Sequence, residues 1–91
     1  MSARDHLERV RSVDCVVCRL FGMPQEGPTY AHHVESVRDD VSDYATASLC
    51  WYHHQGPEGV HGLSRRGFEM RYKIGNVDLI AMTIRLIDRE G

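Results

Sequence analysis

The chain concentrates imidazole and thiol groups beyond what packing asks for. Between positions 49 and 62 it reads LCWYHHQGPEGVHG, which places Cys50, His53, His54 and His61 in one short stretch. Cys50 and His53 are three apart, so on a helical turn they share a face and can grip one ion. His54 follows at once and points about 100° away around the same turn, so one short helix can feed two separate sites. Upstream stand Cys15 and Cys18, a Cys-x-x-Cys pair able to turn two thiolates inward, and the adjacent imidazoles His32 and His33.

These groups sort into two constellations. Cys15, Cys18 and Cys50 with His53, or with His54 in its place, supply four nitrogen and sulfur donors, the set of a closed structural Zn2+ site. The remaining histidines among His32, His33, His54 and His61 can give three imidazoles to a divalent cation that keeps open positions, the pattern of a catalytic metal. A fourth imidazole beside them can act as general base near neutral pH. Successive residues on a strand face opposite ways, so His32 and His33 serve one reaction only if the strand bends or ends there, or if substrate lies between them. The bland alternatives are a buried thiol pair for the first set and a histidine-rich surface for the second.

Holding such groups takes a scaffold, and 91 residues suffice for one domain but not two. A chain this short buries little apolar area and commonly needs a staple. Three cysteines leave a thiol over in any disulfide scheme, whereas Cys-x-x-Cys with a distant Cys-x-x-His uses all of them, which favours zinc and a reducing, cytoplasmic setting. The first residues, MSARDHLERVRSVD, have no apolar core, so no secretory signal is expected, and no run is long enough to span a membrane. The net charge of -2 does not announce a nucleic-acid binder, although a cation held by neutral histidines would be local positive charge that the total hides.

The pattern predicts a small α+β fold. Residues 5–13 read as a short first helix or a frayed arm, and 22–28, with its glycines and prolines, as a loop. Residues 29–34 and 44–49 read as the two strands of a hairpin, with the acidic stretch 35–43 between them. A helix begins near Cys50 and stops before Pro57, so His61 should arrive from a loop or a following turn. Residues 67–74 form a helix with Phe68 packed on Tyr72 and Gly75 as its stop. Asn76 should cap the final helix, with Asp78 in its first turn. Val77, Ile80, Ala81, Ile84 and Ile87 make its apolar stripe, which Leu79, Met82 and Leu86 widen enough to cover the core or meet a second copy of the chain.

The order AHH, then LCxxHH, then HG, behind an upstream CxxC, resembles the HNH nucleases of the ββα-metal fold, and among them the phage recombination-enhancement (Ref-type) nucleases. Phe68, Tyr72, Asp78 and Leu79 match further parts of that pattern, so the resemblance runs from about Cys15 to Leu86. It implies one nuclease domain over residues 1–91: a zinc knuckle and ββα-metal core at 15–62, and C-terminal helices at 67–90. It makes Cys15, Cys18, Cys50 and His53 the ligands of a structural Zn2+, and His32, His54 and His61 those of one catalytic Mg2+, Mn2+ or Zn2+. His33 becomes the general base.

One departure is plain. The asparagine that orients the base is missing from the second strand, since the only asparagine is Asn76. Thr46 or a backbone carbonyl is the expected substitute.

The implied activity is endonucleolytic hydrolysis of DNA, leaving 5′-phosphate and 3′-hydroxyl ends, in phage recombination or DNA processing. Arg38, Arg65, Arg66, Arg71 and Lys73 are the candidate phosphate contacts. A recombinase or another phage protein is an expected partner, and the apolar last helix a candidate homodimer face. The alternative function is a non-catalytic zinc module that binds nucleic acid or protein.

Overall fold

The computed structural model describes residues 2–34, 38 and 41–90. Helix α1 (Ala3–Ser12) is fixed at its start by a reciprocal cap: the Asp5 N–H donates to Ser2 Oγ at 3.1 Å, and the Ser2 N–H to Asp5 Oδ2 at 3.4 Å. Its buried Val10, with Val13 just past its end, anchors it, so the first residues are helix and not a loose arm. Cys15 then occupies the N-cap of α2 (Val16–Phe21), and Gly22 ends that helix in the left-handed region at φ 65°.

The loop that follows is stitched down by Gln25. Its Oε1 accepts from the Cys15 N–H at 2.7 Å, and its Nε2 donates to Thr29 Oγ1 at 2.9 Å. Strands β1 (Thr29–His33) and β2 (Thr46–Cys50) pair antiparallel, with Thr29 opposite Cys50 and His33 opposite Thr46. β2 begins two residues later than its sequence pattern predicts, because Tyr44 closes a 3-10 turn at Ser42–Tyr44. The stretch 35–43 lies largely outside the described residues.

Every residue of β2 is buried, including Thr46 and Ser48. The polar groups that this removes from water are paired: Ser48 Oγ donates to the Asp14 carbonyl at 2.9 Å, and the Ser48 N–H to Thr83 Oγ1 at 3.0 Å. Thr83 passes the bond on to the Leu79 carbonyl at 2.8 Å. A backbone donor of β2 is thus closed by the side chain of a helix, in a sheet of two strands among the described residues.

Helix α3 (Trp51–His54) leaves β2 without a connecting loop, and α4 (Val60–Tyr72) follows after a tight turn. The backbone of α4 breaks at Ser64, φ 69°, so His61 is carried by a separate first turn. α4 ends at Lys73, left-handed at φ 62°, and not at Gly75, since the chain must turn there to send Ile74 into the core.

In α5 (Asn76–Glu90) the cap position belongs to Gly75, whose carbonyl accepts from the Leu79 N–H at 3.0 Å. Asn76 instead donates its side-chain amide to the Val34 carbonyl at 2.8 Å, tying the end of β1 to the last helix. The buried face of α5 is Leu79, Thr83 and Leu86, whereas Val77 is 78% exposed and Ile84 44%. Of the expected stripe, Ile80 and Ile87 pack against the edge of the core and Val77, Ala81 and Ile84 face outward, a rotation that the bond from the Ser48 N–H to the Thr83 hydroxyl helps to fix.

The result is a small α+β chain with a two-stranded antiparallel sheet. Val16, Val17, Leu49, Phe68 and Leu79 pack in its core together with the three cysteines. No helix among the described residues is long and apolar enough to cross a membrane.

Candidate metal centres

Cys15 and Cys18 flank the first turn of α2, Cys50 ends β2 and His53 sits on α3, and all four converge. His53 Nδ1 lies 3.5 Å from the sulfurs of Cys15 and Cys18 and 3.3 Å from that of Cys50, and the Cys18 and Cys50 sulfurs are 3.7 Å apart. A tetrahedral Zn2+ with its usual bond lengths sets sulfur–sulfur edges of about 3.8 Å and sulfur–nitrogen edges of about 3.5 Å. The observed edges match, so the donor set and its spacing both fit zinc.

All four residues are buried. Burial, ahead of their mutual interactions, pushes the Cys15 and Cys18 thiols above their ordinary pKa and lowers that of His53, which keeps the imidazole neutral as a ligand must be. Thiols crowded in this way have a strong reason to bind a cation, because coordination removes their protons outright. Tyr72 braces the cluster from α4: its ring stands 5.7 Å from that of His53 and 4.6 Å from that of Phe68, and its hydroxyl donates to the Glu58 carbonyl at 2.8 Å.

The second cluster is His32, His54 and His61, whose ligand-type nitrogens lie within 4.8 Å of one another. The ring centroids are 4.9 Å apart for His32 and His54, 5.3 Å for His32 and His61, and 4.8 Å for His54 and His61. Burial lowers the pKa of His32 to about 4, with the neighbouring histidines adding to the effect, and burial with His61 lowers that of His54. His54 Nδ1 is buried with no hydrogen-bond partner. Three imidazoles around one point, one with an orphaned nitrogen, fit a divalent cation.

Neighbouring residues of α3 therefore serve different clusters, His53 the first and His54 the second. Bringing His61 to the second needs a close approach of backbones. A Cβ on Gly59 would fall 2.7 Å from the His53 carbonyl carbon, and one on Gly62 would overlap the Gly56 carbonyl.

His33 is the last residue of β1 and is exposed, on the opposite side from His32. Its Nε2 meets Asp43 Oδ1 at 2.8 Å. Thr46, the expected orienting group, does not take that role: its hydroxyl donates to the Asp43 carbonyl at 3.1 Å and so holds the residue that does. Asp43 escaped the sequence reading because it stands in an acidic run outside the strands. Only the register, with Thr46 opposite His33, shows which carboxylate reaches the ring.

Of the candidate phosphate contacts, Arg65, Arg66 and Arg71 follow His61 along α4, and Lys73 ends it. Arg71 is already paired with Glu58 at 3.0 Å, which weakens its claim on a phosphate. Arg38 is described, but its neighbours on both sides are not.

Two concavities open away from the three-histidine cluster. One of about 240 Å3 opens on the tetrad between Cys18, Cys50, Met23 and Tyr52. A larger one of about 370 Å3 runs between α2 and α5, past Leu20, Met82, Arg85 and Arg89. In the three-histidine cluster His32 is buried, His54 half-buried and His61 exposed, so the cluster reaches the surface through His61. No protein-family model, curated protein or solved structure matches the chain.

Proposed function

We propose that the chain is a metal-dependent endonuclease of the HNH type that hydrolyses DNA phosphodiester bonds. The reading rests on the sequence resemblance and on one observation: an exposed imidazole held by a carboxylate, His33 on Asp43, stands next in the chain to one of three convergent imidazoles. With Asp43 ionised, Nε2 of His33 keeps its hydrogen and the lone pair falls on Nδ1, the atom that takes a proton from the attacking water. Asp43 then stabilises the imidazolium that forms, and Thr46 keeps Asp43 in place. A divalent cation held by His32, His54 and His61 would supply electrostatic stabilisation of the charge that grows on the phosphoryl oxygens. The tetrad of Cys15, Cys18, Cys50 and His53 positions α3 and stays outside the reaction. The end of β1 at His33 lets adjacent histidines serve the two sides of one scissile phosphate.

The test compares zinc-loaded wild type with His33→Ala in plasmid nicking with magnesium or manganese, alongside zinc measured per chain. Loss of a general base predicts a fall of about 100-fold or more at unchanged zinc content. A wild type that keeps its zinc yet cuts no form of DNA with any of these cations would overturn the reading in favour of a non-catalytic zinc module.

A further inference from the structure

Two large aromatic side chains stand exposed on the two elements that carry His32 and His54, and neither the fold nor the hydrolysis uses them. Tyr30 is 40% exposed and Trp51 51%. Tyr30 lies two residues before His32 on β1, on the same face of the strand, and its ring centroid is 5.9 Å from that of His54. Trp51 lies three residues before His54 on α3, so it shares that side of the helical turn. Each of two cluster histidines thus carries an exposed aromatic ring on its own side of its own element.

The charges point the same way. A duplex presents phosphates and is held chiefly by cations. This chain carries a net charge of -2, and several of its arginines are paired internally, among them Arg71 with Glu58, Arg19 with Asp14 and Arg4 with Glu8. Exposed rings suit what a duplex hides, the faces of unpaired bases.

We infer that Tyr30 and Trp51 form a stacking platform for unpaired nucleobases, which hold the neighbouring phosphate over the histidine cluster. The inference rests on the nuclease reading for its substrate and gives that substrate a class: single-stranded or locally unpaired DNA.

Trp51 is the only tryptophan, so its fluorescence reports on this platform alone. The experiment uses the zinc-loaded full chain carrying His33→Ala, so that DNA is not cut, with manganese present. A twelve-nucleotide oligothymidine and a hairpin duplex of equal length are titrated separately, with fluorescence anisotropy of the labelled DNA read in parallel. The single strand quenches Trp51 and binds about tenfold or more tighter than the duplex. Tyr30→Ala and Trp51→Leu each weaken single-strand binding by about tenfold, the scale of one lost stacking contact, and leave duplex binding alone. Trp51→Phe and Tyr30→Phe keep most of the affinity, which separates stacking from any disturbance of the fold.

Duplex binding as tight as single-strand binding, an unquenched Trp51, or full affinity in both the Tyr30→Ala and Trp51→Leu proteins overturns the inference. Failure of the nuclease reading looks different. In that case the single strand binds through these rings while wild type cuts nothing. Conversely, a wild type that cuts duplex with Trp51 silent keeps the nuclease and removes the platform.

Discussion

At the scale of single residues, His33 and His32 show how one backbone step divides labour. His32 is buried in the cluster, and its neighbour is exposed and bound to a carboxylate. Asp43→Ala should lower kcat for DNA cleavage by roughly 10- to 100-fold, the usual effect of removing an orienting partner, with KM and zinc content unchanged. Asp43→Asn, which still offers an oxygen to Nε2, should recover part of the loss.

The burial of His32 also has a pH signature. Unfolded, it takes up a proton near pH 6.5; folded and without a cation, only near 4. Between those values the unfolded chain binds more protons, so stability falls as the pH drops through this window. In protein carrying zinc in the tetrad alone, the urea midpoint should drop between pH 7 and 5 more for wild type than for His32→Asn.

The thiols and imidazoles were legible from spacing because such side chains are scarce and their chemistry is narrow. Asp43 was not, because one carboxylate in an acidic run looks like another until a 3-10 turn selects it.

At the scale of elements, the hairpin, the short helix after Cys50 and the two C-terminal helices were all readable from periodicity and from the glycine and proline punctuation. The rotation of α5 was not. Its apolar residues outnumber the positions that the core can accept, and a polar residue, Thr83, decides which of them are buried. The complete burial of β2 was hidden for the same reason, since a strand reading TASLC suggests one wet face. Thr83→Val keeps the shape but leaves the Ser48 N–H without its acceptor. It should cost about 1–3 kcal/mol in urea unfolding, whereas Val77→Thr, on the outward side of the same helix, should cost less than about 0.5 kcal/mol.

At the scale of the whole molecule, the tetrad of three cysteines and His53 ties α2 to the β2–α3 segment far downstream in the sequence. Zinc binding in small peptides is worth about 10–16 kcal/mol, and a domain's entire stability is about 5–15 kcal/mol. Removing the ion should therefore unfold the chain and not merely loosen it. Chelation at neutral pH should abolish most of the far-ultraviolet helical signal, with recovery on adding zinc, and Cys18→Ser should be poorly folded even with zinc supplied. A helical signal that survives complete zinc removal would show that the apolar core suffices alone.

The adjacency of His53 and His54 on a helix of four residues carries one more consequence. The second cluster shares α3 with the first: His54 is in position only when His53, the residue before it, is fixed. On the proposed reading metallation is sequential, zinc first and the second cation after it, and the affinity of the second cluster is borrowed from the occupancy of the first. On that reading a newly made chain stays inert until it has captured zinc, whatever the supply of other divalent ions. For the nuclease proposed above, that order would be a safeguard, since no unfolded or half-assembled copy could present a competent centre.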